Sequence, residues 1–212
     1  MATRLSIYNG ALLECGERDL ASLSENREPR RLLDRVWDNG AVRYCLGRAQ
    51  WKFAKRTVQL VASTDIETAF GYAYAFEKPD DFVRTIGMWS DENLQSPLLQ
   101  YQQEGATWFA QVDSLFASYV SDGSNYGGEL TNWPEEFSRA VELYFAARIV
   151  RKLKQSTEEE KFLLAKADAA FREAANSDVV EGPTTFPPPG RWVSARHGGR
   201  GGDGGSRTRL TS

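Results

Sequence analysis

Little in this chain has the type and spacing needed to carry out chemistry. The one histidine, His197, stands among glycines. A catalytic base needs a rigid, partly desolvated setting that tunes its pKa, and a Gly-rich segment supplies none. Glu158, Glu159 and Glu160 imitate a catalytic carboxylate pair, but at the start of a predicted helix their interaction with the helix dipole explains them. Cys15 and Cys45 both fall on predicted helices; they are read as small buried hydrophobes, with a pairing as the alternative. With one His and two Cys, a His-rich metal centre cannot be built and a zinc site would have to recruit carboxylates. No Walker loop, dinucleotide fingerprint, nucleophile elbow or paired-Cys motif is present. The expectation is a protein with no catalytic residue, no cofactor and no metal.

Binding chemistry is better represented. Trp192, flanked by Arg191 and Arg196, is a large aromatic on an otherwise polar stretch, and Trp and Arg dominate interface hot spots. Just before it, Phe186-Pro187-Pro188-Pro189 is biased to polyproline II and would project the C-terminal residues away from the body. Residues 190–212 carry five Arg against Asp203 alone, a charge of +4 that leaves −7 for the remainder of a chain totalling −3. They hold seven of the 18 glycines and only four hydrophobic residues (Trp192, Val193, Ala195, Leu210), too few to fold alone. We therefore expect an arm, with Phe186, Pro187, Pro188, Pro189, Arg191, Trp192, Val193 and Arg196 as its partner-binding stretch.

A second cationic feature lies near the N-terminus: Arg30, Arg31, Arg35, Arg43 and Arg48, then Lys52, Lys55 and Arg56. One reading is a nucleic-acid surface; the other is a solvated helix face balanced by the acidic remainder. DNA-binding domains usually carry a positive net charge, which favours the second.

These features need a scaffold. At 212 residues and 41% hydrophobic, with six Trp, the chain has the means for one substantial core. No apolar run approaches the roughly 18 to 20 residues that span a bilayer, and Met1–Asn9 lacks a secretory pattern, so an intracellular product without a membrane is expected. Residues 3–15 place Leu5, Tyr8 and Leu12 on one helical face, closed by Gly16. A second helix is expected from Glu28 and Pro29 to about Ala49, burying Leu33, Val36, Trp37, Ala41 and Tyr44. From Thr57 to Ser121 short β-rich runs succeed one another: 57–61, 72–76, 82–86, 98–102, 108–111 and 115–120, with turns at Pro79-Asp80 and Glu104-Gly105. They predict one small antiparallel sheet inserted between helices. A third helix opens at Asn132-Trp133-Pro134-Glu135-Glu136 and ends near Leu153. A fourth, with Thr157 and Glu160 as its capping box, runs to about Ala175 and forms an antiparallel hairpin with the third. The expected fold class is α+β, mainly α: an antiparallel helical bundle with a small inserted antiparallel β-sheet and an extended C-terminal arm. Residues 1–177 form the body, with the β insertion at about 57–121, and 178–212 the arm.

The order of pieces resembles a known family. A first helix ends in Leu13-Glu14-Cys15-Gly16-Glu17-Arg18; the turn Leu20-Ala21-Ser22-Leu23-Ser24-Glu25 comes next; an Arg-rich helix closes in Trp51-Lys52-Phe53-Ala54. A Tyr-rich strand, Tyr72-Ala73-Tyr74-Ala75-Phe76, then leads through Pro79-Asp80-Asp81 into Phe82-Val83-Arg84. Over roughly residues 3–176 this resembles the tail tubular protein A family of tailed bacteriophages. The resemblance implies a head-to-tail adaptor in the neck of a virion, assembled in the host cytoplasm. Such adaptors form a ring, typically of twelve copies, which joins the portal protein above to a tail, nozzle or stopper protein below and lets double-stranded DNA pass during ejection. Family arms reach onto the portal, and Phe186 to Arg196 stands where such an arm would begin. An acidic body suits a DNA passage, because it repels phosphates. The alternative function is a DNA-binding module using the Arg-rich second helix.

Overall fold

The computed structural model describes residues 1–68 and 71–180. Helix α1 (Arg4–Glu14) starts at a reciprocal cap in which the Thr3 hydroxyl accepts from Ser6 N–H and the Ser6 hydroxyl accepts from Thr3 N–H. It ends as expected at Gly16, whose φ of 68° is in the left-handed region that a side chain disfavours. The expected second helix is two helices, α2 (Glu28–Asp38) and α3 (Ala41–Leu46). The break is at Asn39-Gly40: Gly40 has φ 80°, which continues neither helix and redirects the chain. The expected buried stripe is corrected with it, since Leu33 and Ala41 are buried but Tyr44 is 49% exposed.

Among the described residues the β insertion has six strands: β1 (Lys55–Val61), β2 (Tyr74–Glu77), β3 (Phe82–Trp89), β4 (Tyr101–Glu104), β5 (Thr107–Ala110) and β6 (Ser114–Ser121). They form two antiparallel three-stranded sheets, β1-β6-β3 and β2-β5-β4, where one sheet was expected. The β4–β5 hairpin turns at Gly105 (φ 49°), and the Pro79 turn is closed by Phe82 N–H donating to the Pro79 carbonyl at 3.0 Å. Phe76 and Trp108 from one sheet and Met88, Leu115 and Ala117 from the other share a buried cluster, with Phe82 meeting Trp108 edge-on at 5.2 Å.

A 3₁₀ turn (Leu130–Asn132) leads into α4 (Glu135–Lys154), the central helix, against which α1, α2 and α3 all pack. The corner at Gln155 (φ 55°) reverses the chain into α5 (Thr157–Val180) and is bridged by Arg151–Glu160 (3.9 Å) and Lys154–Glu159 (3.1 Å). The cap of α5 is Ser156, whose hydroxyl accepts from Glu159 N–H at 3.2 Å, one residue earlier than the expected Thr157 box. The helix runs to Val180, beyond the expected end at Ala175 and the 177 boundary; its last turn is held by Lys52, whose backbone N–H donates to the Asp178 carboxylate and whose ammonium donates to the Asp178 and Val179 carbonyls. The helical core joins Ile7, Leu12, Leu33, Leu46, Phe137, Phe145, Leu163 and Phe171; Cys15 and Cys45 are buried within it, unpaired. The fold is thus α+β and mainly α. Among the described residues no helix is long and apolar enough to cross a membrane.

Candidate functional site

The expected partner-binding stretch, Phe186, Pro187, Pro188, Pro189, Arg191, Trp192, Val193 and Arg196, lies outside the described residues, as does His197. The site that can be built residue by residue is the Arg-rich face of α2, α3 and the segment entering β1.

Most of that face is engaged internally. Arg30 pairs with Asp34 one turn on, at 2.5 Å. Asp34 also accepts from Arg4 (2.9 Å) and the Tyr8 hydroxyl (2.9 Å), so the cluster staples α1 to α2, while the Arg4 guanidinium lies 4.9 Å over the Trp37 ring. Arg43 donates to Asp122 and to the Phe82 carbonyl, tying α3 to the end of β6 and the start of β3. Arg48 pairs with Asp168 of α5 at 2.5 Å. Arg56 pairs at 2.7 Å with Asp81, and Lys52 donates to carbonyls of Asp178 and Val179. Five of the eight cations that read as a continuous stripe are therefore held by partners within the fold. The signal available for this was one aspartate per arginine, but the partners stand up to 120 residues away.

Asp81 is the densest of these links. One oxygen accepts from the Tyr119 hydroxyl at 2.9 Å; the other accepts from Ser121 and Arg56. Burial alone would raise this carboxyl, but the hydrogen bonds from Ser121, Arg56 and Tyr119 outweigh it and hold the pKa below the ordinary range. The Pro-Asp turn is thereby fixed to β6 and β1 together.

Between α2–α3 and α4 lies a groove of about 340 Å³. Arg35, Arg148 and Lys152 line it with the apolar Leu32, Val36 and Ile149, and no acid is among its lining residues. Tyr44 and Tyr144 stack within it, centroids 5.0 Å apart and planes at 22°. Burial pushes the Cys15 thiol up to about 11 and raises that of Cys45, so neither is a thiolate near neutral pH. Among the described residues no group of three or more His, Cys, Asp or Glu is placed to hold a metal.

Residue-type reasoning passed over Glu142. It lies partly buried on α4 where α4 meets α1, and a Cβ at Gly10 would fall 2.3 Å from its carboxyl, so the glycine leaves the space that the carboxyl occupies. Burial, with Glu14 of α1 and Glu135 adding repulsion and Arg139 opposing it, raises its pKa to about 7. The protonated form suits the folded state better. Stability is therefore unaffected where both states are protonated, below about pH 4.5, falls as pH rises towards 7, and levels off above it. Glu142→Gln should remove this slope and add about 1–2 kcal/mol at pH 8, allowing for partial exposure of the group. Urea unfolding at pH 5 and pH 8 checks it; an unchanged difference between the two pH values would assign the slope to other groups.

No protein-family model matches the chain, and no curated protein matches it.

Proposed function

We propose that this chain is a structural head-to-tail adaptor of a tailed bacteriophage or phage-like particle, a ring that joins the portal to the tail and lets DNA pass. Its role is assembly, not catalysis. The observation that carries this reading is the sequence order of the resembling motifs together with what each does in the fold. The Leu13–Arg18 stretch ends α1; Trp51 is a fully buried core anchor; Pro79-Asp80-Asp81 is the bonded turn that ties the start of β3 to β1 and β6. Residues at the ends and corners of elements account for the motifs, as expected of a body built to be rigid. Helix α5 then delivers the chain at Val180 to the stretch whose composition reads as a partner-seeking arm.

The alternative is a DNA-binding module. Arg30, Arg43, Arg48 and Arg56 support it poorly, because each already holds a carboxylate and would lose that pair to reach a phosphate. The experiment is electron microscopy of particles from producing cells, with antibody labelling of this chain, beside a gel-shift of the purified protein with a short duplex. Label at the neck and no salt-sensitive duplex retention is the expected result. Tight duplex retention with no neck label would overturn the adaptor reading in favour of the other.

A further inference from the structure

Charge is divided sharply between the two parts of the described body. Residues 57–121, the β insertion, hold nine Asp and Glu against Lys78 and Arg84, a charge of −7. The helical frame, residues 1–56 and 122–180, holds nineteen basic and eighteen acidic residues, +1. On that nearly neutral frame the groove between α2–α3 and α4 gathers three exposed cations, Arg35, Arg148 and Lys152, and among the described residues none of them has an ion pair. Helix dipoles account for Arg35 and Lys152, which sit in last turns. They do not account for Arg148, nor for the convergence of all three on a recess lined also by Leu32, Val36 and Ile149.

The occupant must be acidic, slender and partly apolar. The chain's own residues 190–212, at +4, have the wrong sign. Duplex DNA presents its phosphates on a convex rod, which a recess of about 340 Å³ does not admit. Single-stranded nucleic acid binds by stacking bases on open aromatic faces. Here Tyr44 and Tyr144 already stack on one another, and Arg48 lies 5.8 Å over the Tyr44 ring. The matching chemistry stands on the insertion itself. The loop between β3 and β4 carries Asp91 and Glu92 with Leu99, which is 86% exposed. It is already shaped: Asp91 accepts from Gln95 N–H (3.0 Å) and Ser96 N–H (2.6 Å), Ser90 N–H donates to the Ser96 carbonyl (3.1 Å), and Leu98 N–H to the Met88 carbonyl (2.9 Å). A preorganised loop loses little entropy on docking.

We propose that the Arg35–Arg148–Lys152 groove of one copy seats the Asp91–Glu92 loop of a second copy, with Leu99 against the apolar lining. Groove and loop are different surfaces, so the contact is head-to-tail and repeats from copy to copy, closing into a ring where the rotation allows. The charge complementarity needs only the chain itself; the closed ring rests on the adaptor reading.

The test uses the full-length protein in two charge-reversed forms. Arg148→Glu/Lys152→Glu makes the groove acidic, and Glu92→Lys/Leu99→Lys makes the loop basic. All four positions are exposed, so both variants should stay folded, with a small drop in melting temperature confined to the groove variant, where Lys152→Glu puts an acid in the last turn of α4. In analytical ultracentrifugation at low salt the parent should associate with rising concentration. At about 0.5 M salt, where screening acts within about 4 Å, that association should weaken at least tenfold. Each variant alone should associate at least tenfold more weakly, and an equimolar mixture of the two should recover association, because each interface then joins opposite charges. A parent that stays monomeric at every concentration, variants that associate like the parent, or a mixture that fails to recover would each overturn the docking. Duplex DNA shifting the parent but not the groove variant would assign the groove to nucleic acid instead. Particle microscopy separates the two proposals. Neck rings built normally from the groove variant would remove this contact and leave the adaptor reading standing. Salt-sensitive association of a chain absent from particle necks would do the reverse.

Discussion

Phe137→Ala should lower the unfolding free energy by about 3–5 kcal/mol. Phe137 is fully buried near the start of α4, and its ring meets Trp51 at 4.7 Å, Phe53 at 4.9 Å, Trp133 at 4.9 Å and Phe171 at 6.2 Å. Those four come from the segment before β1, the entry to α4 and the second half of α5, so one ring closes three connections. Edge-to-face geometry at 64° to Trp51 and 84° to Trp133 adds to the area term, and a cavity bounded by rigid indoles collapses poorly. Phe162→Ala is the comparison. At 68% exposure on α5 its truncation should stay within about 0.5 kcal/mol of the parent. Urea unfolding of both measures the difference. A loss below about 1 kcal/mol at Phe137 would mean that the cluster is not what holds α5 to the frame.

What could be read from the chain was what local chemistry decides. The end of α1 at Gly16, the hairpin at Gly105, the Pro79 turn and the acids in the first turn of α4 each arise from a conformational or electrostatic preference of one or two residues. The errors arose where distant segments decide. An apolar spacing that runs through Val36, Ala41 and Tyr44 concealed the break at Gly40, because the spacing does not reveal which of these positions has a neighbour to pack against. Tyr44 is exposed because Tyr144, a hundred residues on, offers it a stacking partner at the surface, not a place in the core. Two sheets replaced one: β2 pairs with β5 and β1 with β6, pairings between segments far apart in the chain, and the two sheets meet through the shared burial of Phe76, Trp108 and Leu115. The Arg stripe was visible as composition, yet Asp81, Asp122 and Asp168 decide what it does, and their place opposite Arg56, Arg43 and Arg48 exists only in the folded chain. Glu142 had a local sign that went unused: it stands between the buried Val141 and Leu143 and three residues before the buried Phe145.

On the adaptor reading proposed above, removal of residues 186–212 should leave the body folded and abolish attachment to a portal ring. The described cores are assembled from residues 7–174, so the truncated protein should unfold at the same urea concentration as the parent. Attachment is a different matter. Four hydrophobic residues among the last 23 cannot offset an ordering cost of roughly 1–2 kcal/mol per residue without surface supplied by a partner. Trp192 is the one side chain there large enough to anchor the stretch, and Trp192→Ala should cost about 2 kcal/mol per arm, a loss that every copy in a ring repeats. Co-sedimentation with the portal measures it: full retention by the parent, none by the truncation, and a steep loss for Trp192→Ala are expected. Trypsin gives the second readout, since Arg191 and Arg196 flank the tryptophan. Cleavage there should be fast in the free protein and slow in the complex. Equal resistance before and after adding the portal, with attachment unchanged by Trp192→Ala, would place the anchor elsewhere on the body.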